Sequence, residues 1–415
     1  MKAIINARIY DYDTYIENGY VIFCETIIEI GPMTSFEGEY EVYDAGGMLL
    51  IPGLLNGHTH IYSTLFRGAP LVSAPESFQD ILDQVWWKFD SKLNLEMIKA
   101  SAHIYAVDSL KFGVTSVIDH HASGTISKSL KTLHDGLNEI GLKHLLCFES
   151  SDRFDLDLCI SENEYALKNH GFFGCHASMS LCDESLKRIK RSLKNAPLHI
   201  HVAESLEDMK DAKRKYDKTV IERLGDNHLL NPQSILAHCV HITDEDASLI
   251  KASDCVIAIN PTSNLNNAVG LYNAKLMIEK DLDVIVGTDG LGSNVAREYQ
   301  YLYYLGKQSM GHPSKLPLDW IKKVIQFSYD FFNKQSQLKI GKLQPHYDSD
   351  FILIDYDFGT PVTKDNIFSH LFYGVFDQLK PLAVYVNGHK KIDHYKHLGE
   401  IKSHRPVIEE LWGQL

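Results

Sequence analysis

The segment Leu49-Leu50-Ile51-Pro52-Gly53-Leu54-Leu55-Asn56-Gly57-His58-Thr59-His60 joins an apolar run to two histidines. A short apolar run followed by Asn and Gly is typical of a buried strand that ends in a loop. Because side chains alternate across a strand, His58 and His60 point to the same side. Two imidazoles on one side could bind a divalent metal ion, or they could be ordinary polar residues at a strand end.

Seven further apolar runs follow, and stretches with the spacing of amphipathic helices lie between them. With Leu49–Leu55, the eight runs are completed by Thr115–Ile118, His144–Phe148, Phe172–Cys175, Leu198–Val202, Ser234–Ala237, Cys255–Ile259 and Val284–Val286. Eight buried strands that alternate with helices predict an α/β fold, namely a (β/α)8 TIM-like barrel.

Both ends of the chain are rich in strand-forming residues instead. These strand-like stretches are Ala3–Tyr10, Tyr20–Ile30, Phe351–Ile354 and Leu382–Val386. The simplest arrangement pairs them, which predicts a small β-sandwich domain formed by both chain termini. We expect the β domain to comprise residues 1–52 and 339–415, and the hydrolase barrel to comprise residues 53–338.

Composition limits the classes of partner. The 415 residues include 41 Lys+Arg and 54 Asp+Glu, a formal net charge of −13. This balance argues against binding to nucleic acid or to an anionic membrane surface, and no apolar run is long enough to span a bilayer. The seven cysteines are scattered and form no C-x-x-C pair, so we expect free thiols and a cytoplasmic protein. The sequence is compatible with a homo-oligomer.

Polar residues follow several of the runs. His201 and Glu204 follow the fifth run, His238 the sixth and Asp289 the eighth. In barrels of this type, functional side chains lie where strands end, at the carboxyl face. With the two histidines of the first run, four of the eight strands deliver ligand-type residues to that face. Packing explains such a set poorly, and the set predicts a metal site.

The order HxH, HxxE, a later His and Thr-Asp-Gly resembles the amidohydrolase superfamily, within it the mononuclear aminohydrolase/deaminase branch. The nearest resemblance is to the SsnA-type aminohydrolases, and it extends over almost the whole chain. HxH alone is weakly specific, whereas the ordered set is highly specific. The segments that carry the resemblance are Val85–Asp90, Ser116–Ser123, Cys147–Arg153, Ser263–Asn267, Gly287–Ser293, Gly341–Pro345 and Asp350–Asp355.

The resemblance implies one divalent metal ion, zinc in the first place, with iron or manganese as alternatives. Its ligands would be His58, His60, His201 and Asp289. Glu204 would act as the proton shuttle. His238 would hydrogen-bond the metal-bound water or approach the metal as a fifth ligand. Asp289 could also accept a proton from that water, so Glu204, His238 and Asp289 are the predicted catalytic residues.

The predicted substrate-binding residues are His176, Asp90, His121 and Arg153. His176 matches a substrate-contacting position of the family, and Asp90 falls near another. His120 and His121 end the second run, so at least one of them should reach the pocket. Arg153 could bind an anionic group, although most arginines are solvated or paired.

Further features are weaker. Trp86 and Trp87 could clamp a flat ring or pack in the core. Asn264 and Asn267 could line the loop after the seventh strand. The segment between Arg153 and Phe172 is shorter than in relatives, which predicts a truncated third barrel helix.

Together these residues predict a metal-dependent aminohydrolase of the cyclic amidine deaminase type. Metal-activated water would replace an amino group on a purine, pterin or pyrimidine type ring, with release of ammonia. Glu204, three residues beyond His201, could carry the proton that the leaving amino group needs. The alternatives are displacement of another leaving group, as in chlorohydrolases, and a non-catalytic metal-stabilised binding protein.

Two other hydrolase types fit poorly. A binuclear hydantoinase-type amidase usually needs a carboxylated Lys where this chain has His176. The zinc cytidine-deaminase fold requires a P-C-x-x-C ligand pair, which the sequence lacks.

Overall fold

The computed structural model describes residues 1–70, 74–400 and 402–415. Five strands precede the barrel: β1 (Lys2–Tyr10), β2 (Tyr15–Phe23), β3 (Ile27–Pro32), β4 (Glu41–Asp44) and β5 (Leu49–Pro52). The first barrel strand, β6 (Leu54–Thr59), begins after Gly53. The predicted run Leu49–Leu55 is therefore not one strand but parts of two.

A close approach at Gly53 explains the break. A Cβ atom at this position would lie 2.3 Å from the hydroxyl of Thr115, so the chain can pass here only with glycine. The Gly53 amide donates to the Asp350 carbonyl at 3.0 Å, and the Gly53 carbonyl accepts from the Tyr329 hydroxyl at 3.0 Å. The backbone thus leaves the terminal sheet and enters the barrel within one residue.

The barrel prediction is confirmed. Its other strands are β7 (Val114–His121), β8 (Lys143–Phe148), β9 (Phe173–Ala177), β10 (Leu198–Val202), β11 (Ile235–His238), β12 (Val256–Ile259) and β13 (Val284–Val286). They pair in parallel as two arcs, β6-β7-β8 and β9-β10-β11-β12-β13. Parallel bridges between Ser150 and Cys175 and between Thr59 and Asp289 join the arcs into a closed barrel.

Helices surround the barrel, and side-chain caps start several of them, including those of Asn94, Asp155 and Thr219. The helices are α1 (Phe78–Ile81), α2 (Trp87–Asp90), α3 (Leu95–Lys111), α4 (Ser129–Ile140), α5 (Leu156–Lys168), α6 (Asp183–Leu193), α7 (Leu206–Tyr216), α8 (Val220–Asp226), α9 (Asp244–Ala252), α10 (Pro261–Asn266), α11 (Ala274–Glu279), α12 (Val295–Met310), α13 (Leu318–Ser336), α14 (Ile367–His370) and α15 (Arg405–Trp412). The predicted truncation of the third barrel helix is wrong, because α5 has 13 residues.

The remaining strands return to the terminal sheet: β14 (Phe351–Ile354), β15 (Ala383–Val386), β16 (His389–Asp393) and β17 (Lys396–His397). Strand β5 pairs with β1 in parallel and with β14 in antiparallel orientation, which joins the two ends of the chain. Side chains from both ends, such as Ile4, Phe23, Phe351 and Tyr385, share one apolar core. The predicted β-sandwich formed by both termini is therefore confirmed.

Within the described ranges, no helix combines the length and the apolar character that crossing a membrane requires. All seven cysteines are free, as expected.

Candidate active site

The four predicted metal ligands converge at the carboxyl ends of the barrel strands. His58 lies in β6 and His60 directly after it, His201 lies in β10, and Asp289 follows β13. His60 Nε2 is 3.1 Å from His201 Nε2 and 3.0 Å from Asp289 Oδ1, and His58 Nε2 is 3.4 Å from the same carboxylate oxygen. One nitrogen or oxygen atom of each residue lies within 4.8 Å of the others, as a shared metal ion would require.

The junction between the first and last barrel strands positions Asp289. The amides of Thr288 and Asp289 both donate to the His58 carbonyl at 3.0 Å. A Cβ atom at Gly287 would lie 2.4 Å from the same carbonyl oxygen, so glycine is needed for this approach. Asp289 itself adopts a left-handed backbone conformation with φ 53°, a strain of the kind that functional sites often contain.

Backbone carbonyls orient two of the rings. His60 Nδ1 donates to the His120 carbonyl at 2.7 Å, and His201 Nδ1 donates to the His176 carbonyl at 2.9 Å. Each ring therefore presents Nε2 to the cluster. Such contacts fix the tautomer and the orientation of metal-ligating histidines.

A second imidazole orients the remaining ring. His58 Nδ1 lies 2.8 Å from His199 Nε2, and His199 Nδ1 lies 3.5 Å from the Cys147 sulfur. His199 is completely buried. The contact leaves His58 Nε2, a buried atom without a hydrogen-bond partner among the described residues, directed at the cluster.

The donor set fits a divalent metal ion. Burial lowers the pKa of His58 to about 3 and that of His201 well below its ordinary value, so both rings are neutral, as ligation requires. For His60, Asp289 outweighs burial and raises the pKa to about 9, so metal binding would release a proton there. Burial opposes ionisation of Asp289, but contacts with His58 and His60 hold its pKa well below the ordinary range. Three imidazoles and a carboxylate suit Zn²⁺, Fe²⁺ or Mn²⁺.

Glu204 and His238 face each other beside the cluster. Glu204 Oε2 lies 3.4 Å from His238 Nε2, and Glu204 Oε1 accepts from Asn267 at 3.2 Å. His238 Nδ1 donates to Asn264 Oδ1 at 2.7 Å, so Nε2 is left to the cavity. Burial raises the pKa of the Glu204 carboxyl. The pair can exchange protons with a ligand that lies close to the four predicted metal ligands.

A cavity opens over these residues. Its polar lining includes His60, His176, His201, Glu204, His238 and Asp289. Its apolar walls include Tyr62, Phe78, Leu82, Trp86, Trp87 and Leu291. Both tryptophans thus line the cavity, and flat aromatic walls suit a planar ring.

Asp90 and Arg153 form a pair beside this cavity. Asp90 lines it, whereas Arg153 lies behind and binds Asp90 through two contacts of 3.2 and 2.9 Å. The guanidinium also donates to Glu149 at 3.3 Å and packs 4.6 Å from the centre of the Trp87 ring. Burial outweighs Arg153 and raises the pKa of Asp90 to about 7. Arg153 is therefore occupied by two carboxylates.

The structure separates the two adjacent histidines of β7. His120 points into the barrel, where Nε2 donates to the Cys175 carbonyl at 3.0 Å. His121 points the other way, packs between Tyr62 and Phe148, and is not among the residues that line the cavity. Alternation along the strand explains the separation.

Glu149 also lines the cavity, and its role was not predicted from the sequence. It follows β8 directly, as the predicted ligands follow their strands. The strand-end criterion, applied to the third run, would have found it. Ser263, which donates to Asp289 Oδ2, had no comparable signal because it lies within α10.

Known proteins resemble the chain in sequence. The 5'-deoxyadenosine deaminase of Methanocaldococcus jannaschii is 28% identical over 80% of this chain and 81% of its own length. The 5-methylthioadenosine/S-adenosylhomocysteine deaminase of Clostridium tetani is 28% identical over 93% and 92%.

Solved structures share the fold. An adenosine deaminase from Xanthomonas campestris with bound zinc superposes with a TM-score of 0.82 at 17% identity, over 100% of this chain and 97% of that one. The zinc complex of atrazine chlorohydrolase TrzN from Arthrobacter aurescens gives a TM-score of 0.79 at 17% identity over the full length of both chains. At this identity the likeness supports the fold alone. Residues 49–391 match the sequence profile of the amidohydrolase family, and the chain belongs to that family.

Proposed function

We propose that the protein is a metal-dependent aminohydrolase that deaminates an amino-substituted purine-type ring. It is a hydrolase of carbon–nitrogen bonds other than peptide bonds. The observation that carries the proposal is the position of Glu204, a buried carboxyl group beside a cluster of three imidazoles and a carboxylate. Relatives named as deaminases of adenosine analogues support the reaction type.

His58, His60, His201 and Asp289 would hold the metal ion, with zinc first because the donor set suits it and a similar fold binds zinc. When bound, a divalent ion lowers the pKa of water and so supplies a nucleophile near neutral pH. The buried donors His58 Nε2 and His201 Nε2 are already directed toward this position.

The protein's own residues move the protons. Glu204, with a raised pKa, takes a proton from the attacking water and gives it to a ring nitrogen. Glu204 then carries the second proton of that water from the hydroxyl added to the ring to the amino group, which leaves as ammonia while the ring carbon keeps the oxygen as a carbonyl. His238 Nε2 accepts a proton or, once protonated, stabilises negative charge on the oxygen added to the ring. Asp289 can accept a proton from the same water.

The cavity walls position the ring. Trp86 and Trp87 offer flat apolar surfaces, and His176 and Asp90 offer polar contacts. His121 lies too deep for such a contact, and Arg153 acts by fixing Asp90 rather than by binding a ligand anion. Displacement of chloride needs no proton on the leaving group, so Glu204 favours deamination over the chlorohydrolase reaction. A binding protein without turnover would not require Glu204.

The test is ammonia release. The protein is loaded with one equivalent of zinc, iron or manganese and assayed against purines, adenosine analogues, pterins, pyrimidines and a chlorotriazine. We expect ammonia from at least one aminopurine, and none after chelation of the metal. Chloride release without ammonia would establish the chlorohydrolase reaction instead. No turnover of any substrate with any of the metals would refute the proposed catalytic function.

A further inference from the structure

Two polar side chains from neighbouring barrel strands, Glu149 and His176, line the cavity. Glu149 follows β8 and His176 lies in β9, the third and fourth barrel strands. Only 3% of Glu149 and 7% of His176 is exposed, and both line the cavity. One side-chain atom of each lies within 4.8 Å of the other and of a ring nitrogen of His201. The two side chains therefore border the space next to the four clustered metal-ligand residues.

The hydrogen bonds of Ser180 define the tautomer of His176. The Ser180 oxygen lies 3.1 Å from the Ala177 carbonyl oxygen and 2.7 Å from His176 Nδ1. When the hydroxyl donates to the carbonyl, it accepts from His176 Nδ1. His176 Nδ1 therefore carries the proton. A neutral imidazole has one donor and one acceptor, which leaves Nε2 as an acceptor toward the cavity.

Glu149 has unused acceptor capacity. Its Oε1 accepts from Arg153 Nη2 at 3.3 Å, and its Oε2 lies 3.5 Å from His120 Nδ1. A carboxylate can accept about four hydrogen bonds. Arg153 is held by Asp90 and stacked on Trp87, so it cannot swing round to supply more. The two contacts therefore leave lone pairs of this buried carboxylate available to a ligand that donates to it.

We propose that Glu149 is a specificity-determining residue that, with His176, selects rings bearing N–H donors on the edge facing it. This inference rests on the proposed deaminase function and narrows its substrate class. Oxo- and amino-substituted free bases, such as a 2-amino-6-oxopurine, carry ring N–H groups. In an N9-substituted adenine, N1, N3 and N7 are acceptors and N9 carries no proton, so the only N–H donor is the amino group that reacts.

Ribose hydroxyl groups are also donors, but their position in an adenosine makes them a poor match. The reacting carbon must lie at the metal cluster, and several bonds separate it from the ribose hydroxyls. Glu149 and His176 border that cluster through His60 and His201. They therefore contact the edge of the ring rather than the sugar.

The experiment compares dissociation constants of guanine, 1-methylguanine, 9-methylguanine and adenosine. The zinc-loaded Glu204→Gln protein is the background, because it should bind these ligands without turning them over. We expect guanine to bind most tightly and at least one methyl group to weaken binding by blocking an N–H donor. Adding Glu149→Gln should weaken guanine binding roughly 10-fold, the difference between a charged and a neutral acceptor, and leave adenosine unchanged.

Glu164→Gln is the matched control, since Glu164 is exposed on the neighbouring helix α5 and should leave every constant unchanged. Adenosine binding as tightly as guanine, no binding of guanine, or guanine binding insensitive to Glu149→Gln would overturn the inference. Two zinc ions per chain, falling to one in Glu149→Gln, would also overturn it by making Glu149 a metal ligand.

Ammonia release by the protein without substitutions separates this inference from the proposed function. A donor preference that depends on Glu149, without ammonia from any ligand, would support the binding inference and refute the deaminase. Ammonia from adenosine analogues alone, with no effect of Glu149→Gln on binding, would support the deaminase function and refute the role of Glu149 in specificity.

Discussion

At the scale of single residues, Glu204 has the most specific expected effect. Glu204→Gln should retain the fold and one metal ion per chain, because Gln has the same size and Glu204 is not among the four clustered ligands. It should lower kcat roughly 10²–10⁴-fold, because an amide cannot carry a proton. Steady-state kinetics and metal analysis of the purified variant check this, once a substrate is known.

The pattern of the kinetic constants distinguishes roles for Glu204. If the side chain only bound substrate, KM would rise while kcat stayed nearly constant. An unchanged kcat would remove Glu204 from the mechanism. It would also strengthen displacement of a leaving group that needs no proton.

His199 allows a prediction about a residue that would not touch the metal. His199→Leu removes the contact at 2.8 Å that orients His58, while all four clustered ligands remain. Loss of such a supporting contact typically weakens metal affinity 10–100-fold, and we expect a decrease of that size in a zinc competition titration. His134→Gln, on the outer helix α4, is the control. Equal zinc affinity in His199→Leu and in the control would show that β6 alone orients His58.

Site residues could be predicted from the sequence where the end of a barrel strand determines their position. They could not be predicted where tertiary packing determines it. The four clustered residues follow from strand periodicity and barrel geometry together with the family resemblance. His121 was misplaced because alternation decides which of two adjacent histidines faces inward, and the register of β7 was unknown. The Arg153–Asp90 pair links segments 63 residues apart, and no local pattern encodes it.

At the scale of elements, the junction of β6 and β13 is the sensitive position. Gly287→Ala would place a methyl group 2.4 Å from the His58 carbonyl, so the two strands must separate. We expect a loss of roughly 1–3 kcal/mol in the free energy of unfolding, measured with urea, and weaker zinc binding. Both effects come from one cause, because Asp289 is held at His58 by the same junction.

Gly225→Ala gives the matched comparison. Gly225 lies in helix α8, where a Cβ would make an ordinary 3.7 Å contact with Leu230. Alanine there should stabilise the protein by about 0.5–1 kcal/mol. If Gly287→Ala behaved like Gly225→Ala, the close approach of the two strands would not be needed for the site.

Element prediction from sequence succeeded for the barrel strands and failed at several boundaries. The predicted stretch Tyr20–Ile30 covers the end of β2 and the start of β3 rather than one strand. The run Leu49–Leu55 read as one strand because both halves are apolar, and only contacts with Thr115 and Asp350 divide it at Gly53. Helix α5 was expected to be short from the length of its segment. The loop before the helix is short instead, because Asp155 caps the helix immediately after Arg153 and Phe154.

At the scale of the whole molecule, a buried ion pair connects the barrel to the terminal sheet. Lys143, at the start of β8, lies 2.6 Å from Asp350, which precedes β14. The side chains are 9% and 1% exposed. Asp350 also accepts from the Asn387 amide at 2.7 Å. Burial raises the pKa of Asp350, and Lys143 opposes that rise.

Lys143→Met should therefore destabilise the whole chain, because it leaves the Asp350 carboxylate buried without its nearest cation. Breaking a buried pair in this way typically costs about 3–5 kcal/mol. Without Lys143, the pKa of Asp350 in the folded state rises further above its unfolded value. The resulting loss of stability grows as pH rises between those two pKa values, so urea unfolding should reveal a larger deficit at pH 8 than at pH 5. In the double variant Lys143→Met/Asp350→Asn the fully buried carboxylate is removed. Asp348, the second partner of Lys143 at 2.8 Å, stays charged but is 18% exposed, so most of the stability should return. A deficit that is equal at both pH values, or that persists in full in the double variant, would mean that packing of the Lys143 stem, rather than charge, joins the two parts.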